Sequence, residues 1–293
     1  MKAKKHLGQH FLADGGALAA MVAAAEVRRG DSVLEIGPGT GSLTEFLLAT
    51  GARVTAVEKD RELLPALEER FTKEISSGQL KIVEADALVF DIDSIFPHTV
   101  RHHMVSNGVG DDEKRGKEKY KLVANIPYYI TGAILSKYLG AERQPSRVAV
   151  LVQREVAERI VARSGRESIL SVSVKIYGDP RIARRVPRGA FRPPPTVDSA
   201  ILAIDKISRE RLGGTSDKRF FEVLKAGFAH PRKFVRRNLG GVVSPEKMES
   251  CGVGERARAE ELPLSAWVCL ALGRSPTGEA RRPGTAEGLA QSG

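Results

Sequence analysis

Four places in the chain set chemistry-bearing side chains beside backbone that a small molecule could approach closely. In Glu35-Ile36-Gly37-Pro38-Gly39-Thr40-Gly41 an apolar run over 33–36 gives way to three glycines at every second position. Glycine reaches positive φ and leaves room where a Cβ would collide, so this spacing describes a loop wrapped around a ligand; an ordinary tight turn is the alternative. The acids Glu58 and Asp86 each follow an apolar run that reads as a strand. Open parallel sheets put their ligand crevice at the carboxyl ends of strands. Glu58 is therefore placed to accept from two vicinal ribose hydroxyls, and Asp86, beside Ala87, from an exocyclic amine; a surface turn aspartate is the other reading of Asp86. Asn125-Ile126-Pro127-Tyr128 ends a further strand with an amide, a rigid proline and an aromatic ring. Together they offer a planar hydrogen-bonding slot with a stacking wall, against the alternative of a turn asparagine and a core tyrosine.

The glycine spacing narrows the ligand. Dinucleotide folds seat a pyrophosphate on a helix N-terminus behind G-x-G-x-x-G. Here the spacing is G-x-G-x-G, with Pro38 stiffening the turn and Glu35 ahead of it. An acid at that place suits a methionine ammonium better than a diphosphate. The pattern is similar to the first motif of class I S-adenosylmethionine methyltransferases.

The elements that must position these residues alternate. Strands are expected over 33–36, 53–57, 80–83, 121–124 and 147–153, with helices over 16–25, 42–48, 61–74, 131–139 and 155–163 between them, the sign of a parallel α/β sheet. The stretch 168–176 fits either element. Two more strands, over 181–186 and 199–204, flank Phe191-Arg192-Pro193-Pro194-Pro195. So short a separation demands antiparallel pairing and a mixed sheet, and the prolines hold Phe191 in a fixed place. Ahead of the first helix an arm over 4–13 carries Phe11 and Leu12 among basic and polar residues and is expected to dock beside the glycine loop.

Composition sets outer bounds. Lys plus Arg total 46 against 36 Asp plus Glu, a net charge of +10 that favours a polyanionic partner, with solubility as the plainer reading. Composition shifts over 208–216. Beyond it Phe220, Phe221, Val223, Leu224 and Phe228 form an apolar helical face, and Lys225, Arg232, Lys233, Arg236 and Arg237 make the module basic, as phosphate contact requires. The expected division is a catalytic domain over 1–207, with an arm at 1–15 and a polar loop-like insertion at 97–119, a basic helical domain over 208–272, and a disordered tail over 273–293. His98, His102 and His103 lack a completing acid or thiol cluster, so no metal is expected. Cys251 and Cys269 show no C-x-x-C spacing, which argues against zinc and against a disulfide, and so for a reducing compartment. Without a leader or membrane-length segment the expectation is a cytoplasmic monomer.

Five stretches in order, Gly8-Gln9-His10-Phe11-Leu12, residues 35–41, residues 125–128, residues 191–199 and residues 224–239, carry a resemblance to the ribosomal RNA adenine dimethyltransferases over 5–270. The resemblance implies an α/β fold: a Rossmann-like class I methyltransferase sheet, mostly parallel with an antiparallel edge, and a small all-α C-terminal domain. It implies S-adenosylmethionine held by Gln9, His10, Leu12, Glu35, Gly37, Gly39, Glu58, Asp86, Ala87 and Asn125. A flipped adenine would lie between Tyr128 and Phe191, its N6 hydrogens on the Asn125 side chain and the Ile126 carbonyl. Lys225, Arg232, Lys233, Arg236 and Arg237 would bind RNA. The implied reaction is N6-dimethylation of two adjacent adenosines near the 3′ end of 16S rRNA in the small ribosomal subunit, during ribosome biogenesis, with S-adenosylhomocysteine as product. Competing readings are the large-subunit methyltransferase of macrolide resistance, a nucleotide-linked oxidoreductase, which the glycine spacing disfavours, and a non-catalytic ribosome-assembly factor. The insertion at 97–119 and the stretch 164–168 depart from the family's pattern and bear on RNA contacts rather than on chemistry.

Overall fold

The computed structural model describes residues 10–95, 119–162 and 167–272. Gln9, nearly all of the 97–119 insertion with its histidines, most of the departure at 164–168 and the tail from 273 lie outside the described residues.

The elements run β1 (Phe11–Leu12), α1 (Gly15–Ala24), β2 (Ser32–Ile36), α2 (Ser42–Ala49), β3 (Arg53–Glu58), α3 (Leu64–Arg70), α4 (Thr72–Ser76), β4 (Leu80–Glu84), β5 (Tyr120–Asn125), α5 (Thr131–Leu139), β6 (Arg147–Gln153), α6 (Arg154–Val161), α7 (Ile169–Lys175), β7 (Asp179–Val186), β8 (Phe191–Arg192) and β9 (Ser199–Asp205). The C-terminal helices follow as α8 (Asp217–Gly227), α9 (Val235–Leu239), α10 (Pro245–Ser250) and α11 (Leu264–Ala271). Seven strands form one sheet in the order β4-β3-β2-β5-β6-β9-β7. The first five are parallel; β9 runs antiparallel to β6, and β7 antiparallel to β9. This is the mixed sheet, mostly parallel with an antiparallel edge, that the sequence leads one to expect.

Strand order reverses between β2 and β5, and Ile36 lies opposite Ala124 in their register. Gly37 and Asn125 thus leave neighbouring strands at the switch point, where open α/β sheets bind ligands. Helices cover both faces, so β2 is buried along its whole length. Leu34 and Ile36 pack into one apolar cluster and Val33 into the other. The first cluster runs without a break from Leu202 and Ile204 through Tyr177 and Leu212 to Phe220 and Trp267. The C-terminal helices therefore sit on the sheet's own core, across the composition shift at 208–216.

Several elements differ from the sequence expectations. The helix expected over 61–74 is two helices, because Phe71 leaves the helical region at φ −112°, ψ 27°. Its ring, buried, then lies so close to Gly41 that a Cβ there would come within 2.4 Å of it. The ambiguous stretch 168–176 is α7, started by Ser168, whose hydroxyl accepts from Ser171 N while Ser171 Oγ accepts from Ser168 N. Cys251 and Cys269 are joined by a disulfide, which corrects the expectation against one and removes the ground it gave for a reducing compartment. An 18-residue separation carries no motif, yet the packing of α10 and α11 brings the two Cα atoms to 5.7 Å, inside bridging range. Among the described residues no helix is long and apolar enough to cross a membrane, and no group of three or more His, Cys, Asp or Glu could hold a metal ion.

Candidate active site

At the switch point lies a cavity of about 460 Å³, within the size range of small-molecule sites. Residues 36–40, 57–63, 85–87 and 125–130 wall it, and the arm at 10–12 closes it together with Phe191. Gly37, Gly39 and Gly41 all have positive φ, at +68°, +61° and +83°. A Cβ on Gly39 would stand 3.0 Å from the Phe11 ring, so only glycine lets the arm lie against the loop.

Glu58 ends β3 as a tether. Its Oε1 accepts from Lys59 N at 2.9 Å and Asp60 N at 2.8 Å, and its Oε2 from Gly39 N at 3.2 Å. A carboxylate oxygen accepts twice, so Oε2 keeps a lone pair for a ribose hydroxyl. Burial pushes the Glu58 pKa up, and these three N–H groups pull it back. Asp86 follows β4. Its Oδ1 accepts from Leu88 N and its Oδ2 from the Lys59 ammonium, each at 2.9 Å. Lys59 first, then the Leu88 N–H, hold the Asp86 carboxyl below its ordinary range. Lys59 had no role in the sequence reading; its place directly after Glu58 was the available signal.

Glu35 is fully buried and is not among the residues lining the cavity. It stands behind the glycine loop, toward α2, rather than facing a methionine ammonium. Neither of its oxygens is hydrogen-bonded among the described residues, and the nearby Thr44 hydroxyl is also without an ordinary hydrogen bond. Burial pushes its pKa up to about 8, with Thr44 lowering and Glu58 raising it. That shift favours the protonated acid over the carboxylate at neutral pH.

On the other side of the cavity, Asn125 Nδ2 donates to the His10 carbonyl over a long 3.5 Å, and its Oδ1 makes no hydrogen bond among the described residues. Tyr128 is half-buried, and its hydroxyl shares a 2.6 Å hydrogen bond with Ser199 Oγ, itself fully buried. Burial raises the phenol pKa and the Ser199 bond moderates it. In the sequence Ser199 only ends a motif and begins a strand; its bond to the Tyr128 hydroxyl gives it a part in holding that ring. His10 donates from Nδ1 to Pro193 O at 2.9 Å, and its ring lies 6.4 Å from that of Tyr128 at an interplanar angle of 21°. Phe191 lies on β8, which pairs antiparallel with β1, Leu12 opposite Phe191 and Phe11 opposite Arg192. The Phe191 ring is 1% exposed and packs with Leu12 while lining the cavity.

The cavity thus gathers His10, Leu12, Gly37, Gly39, Glu58, Asp86, Ala87, Asn125, Ile126, Tyr128 and Phe191. The basic residues of the C-terminal helices do not line it. Lys225 borders a separate groove between α5, α7 and α8. Arg232, Lys233 and Arg237 are exposed, and Arg236 donates from Nε to Val253 O at 2.9 Å.

A family model described as ribosomal RNA adenine dimethylase matches residues 1–272. The ribosomal RNA small subunit methyltransferase A of Dehalococcoides mccartyi (strain CBDB1) is 38% identical over 94% of this chain and 90% of its own length. The protein of the same name from Synechococcus sp. (strain CC9902) is 36% identical over 92% of this chain and 96% of its own. Among solved structures, the 23S rRNA methyltransferase ErmE superposes with a TM-score of 0.66 at 26% identity, covering 89% of this chain and 98% of that one. A dimethyladenosine transferase from Plasmodium falciparum reaches 0.70 at 22% identity, covering 89% and 96%, and shares the fold. Matched by that family model over all of its described residues, the chain belongs to the ribosomal RNA adenine dimethylase family.

Proposed function

We propose that the chain methylates N6 of two adjacent adenosines near the 3′ end of 16S rRNA, within the small ribosomal subunit or its precursor, by four methyl transfers per RNA. The observation that carries this reading is the meeting of the glycine loop and the Asn125–Tyr128 stretch in one cavity at the switch point. A cofactor cradle and a slot for a planar base open there onto the same space.

S-adenosylmethionine supplies, when bound, a methyl group on an electrophilic sulfonium. The residues present suit it: Gly37 and Gly39 for close backbone approach, Glu58 Oε2 for a ribose hydroxyl, Asp86 for the adenine amine, and His10, Leu12 and Ala87 as walls. The N6 lone pair of the target base is delocalised into its ring. No strong base is needed, only a geometry that frees that lone pair. Asn125 Oδ1 and the Ile126 carbonyl accept the two N6 hydrogens and turn the amine toward a tetrahedral shape, its lone pair aimed at the methyl donor. Positioning of this kind lowers a barrier by roughly 7 to 11 kcal/mol at ideal alignment. The methylated nitrogen then sheds a proton to solvent. Before that the base must leave its stack, and the Tyr128 ring, pinned through Ser199, replaces the lost stacking at roughly 1 to 3 kcal/mol. Phe191, packed against Leu12 of the arm and lining the cavity, forms the opposite wall. Lys225, Arg232, Lys233, Arg236 and Arg237 take RNA phosphates, and a monomer acting in the cytoplasm during ribosome assembly completes the reading.

Mapping N6,N6-dimethyladenosine in ribosomal RNA from cells with and without this gene tests it. Two neighbouring dimethyladenosines in 16S rRNA should disappear with the gene. Loss of the mark from 23S rRNA instead would make the chain a large-subunit enzyme.

A further inference from the structure

From Arg181 to Arg192 the chain holds five arginines, Arg181, Arg184, Arg185, Arg188 and Arg192, all exposed, and no acid occurs before Asp198. β7, which carries the first three, is an edge strand hydrogen-bonded to β9 alone. Its register slips between Ile182 and Arg184. A slip of one residue exchanges the two faces of a strand, so Arg181 and Arg184 stand opposite Ala203 and Ile201 on one face while Arg185 stands opposite Ala200 on the other. Arg184 accordingly reaches α1, donating to Gly16 O at 2.6 Å, with Asp14 at 3.9 Å. Arg185 reaches Glu158 of α6 at 3.4 Å and stays 73% exposed. The edge is cationic on both faces.

The line continues through the turn toward the cavity. Arg192 donates to the carbonyls of Gly189 and Phe191, each at 2.9 Å, immediately beside the Phe191 ring. Neither Arg188 nor Arg192 forms an ion pair among the described residues. Of the acids that meet this edge, Asp205 serves both Arg147 and Arg181 and Glu158 both Arg154 and Arg185, while Asp14 faces Arg184 and Asp198 Oδ1 accepts from the Arg188 backbone N–H at 3.1 Å. The Arg185–Glu158 pair, exposed on both sides, holds its partner weakly and gives way to a better anion. Charges on an edge strand also guard it against pairing with another strand, but here the row runs past the end of the strand to Arg188 and Arg192 beside the cavity.

We propose that the β7 edge and the turn leading to Phe191 form a second RNA-binding track, separate from the basic C-terminal helices, which holds the phosphate backbone flanking the target adenosine. It rests on the reading that the substrate is RNA. Guanidinium forks match phosphate oxygens two at a time, and Arg181 to Arg185 covers three steps in the register of β9, roughly 10 Å at the rise of a strand, enough to reach neighbouring phosphates.

The test uses the full-length protein and small ribosomal subunits lacking the dimethyladenosine mark, with binding measured from 50 to 200 mM salt. Three variants are compared with the unaltered chain: Arg184→Gln with Arg185→Gln, Arg188→Gln alone, and Lys233→Gln with Arg237→Gln in the helical module. The edge pair should lower affinity and reduce the slope of log K against log salt by about one to two, roughly one for each phosphate that is no longer neutralised. Cofactor affinity and the thermal midpoint should stay as they were. Arg188→Gln, on a turn outside the strand ladder, should give a smaller loss of the same kind, which a disturbed sheet edge would not produce. An unchanged slope in both edge variants while the helical variant loses slope would overturn the proposal, and self-association of those variants would mark the arginines as edge guards. If the unaltered chain itself bound no subunits, the RNA reading would fall together with it.

Discussion

Glu35 offers a direct measurement of how the cofactor loop is built. It lies in the middle of β2 with no exposure and no hydrogen-bond partner among the described residues, and its pKa is raised from 4.5 to about 8. A carboxyl group whose pKa is higher in the fold than in the unfolded chain stabilises the fold fully below its unfolded value. That contribution is lost as pH rises through the window between the two, here from 4.5 to about 8. At about 1.4 kcal/mol for each unit of pKa, the whole displacement corresponds to about 5 kcal/mol. Glu35→Gln puts a neutral amide of the same shape in its place and removes the titration. Urea midpoints of the cofactor-free protein, measured from pH 5 to 9, should therefore show wild type losing stability relative to the variant by about 1.4 kcal/mol per pH unit up to about 8 and no further above 9. Glu58, which burial also raises, is common to both proteins and largely cancels in the difference. Parallel curves would mean that Glu35 is ionised in the fold at neutral pH, and the reasoning from its burial would be wrong.

Glu58→Ala should weaken S-adenosylmethionine binding by about 1 to 3 kcal/mol, since it removes a charge-assisted acceptor and the tether of Gly39; unchanged affinity in calorimetry would take Glu58 out of the cofactor site. Tyr128→Phe keeps the ring and should retain much of the single-turnover methylation rate, whereas Tyr128→Ala should lose far more. Ser199→Ala should match Tyr128→Phe, and the double variant Tyr128→Phe with Ser199→Ala should be little worse than either, because both remove one hydrogen bond. Equal defects in Tyr128→Phe and Tyr128→Ala would show that the hydroxyl, not the ring face, is what the reaction uses.

Much of this site could be read from the chain because its parts lie at strand ends, where local pattern is strong. Gly37, Glu58, Asp86 and Asn125 each follow a run of apolar residues, and the parallel register alone gathers them. What escaped depends on residues far apart in sequence. β1 and β8 are two residues each and carry no periodicity, so their pairing is invisible until the arm and the proline loop are folded together. Ser199 reads as any small residue at the start of a strand, and nothing nearby says that its hydroxyl meets Tyr128. The bond between Cys251 and Cys269 depends on the packing of short helices. Glu35 reads in the sequence as the acid for a methionine ammonium, whereas strand alternation puts it on the face of Val33, toward α2, outside the residues that line the cavity.

The short ribbon of β1 and β8 also bears on how the cofactor is exchanged. The arm that covers the cofactor cavity is hydrogen-bonded to the strand that carries Phe191, and Ala13 N donates to Ala190 O at 2.8 Å just beyond the ribbon. Under the proposed function every methyl transfer leaves a spent cofactor that has to be exchanged. Lifting the arm for that exchange shifts one wall of the base slot as well. The closure of the cofactor cavity and one wall of the base slot are thereby built into a single ribbon.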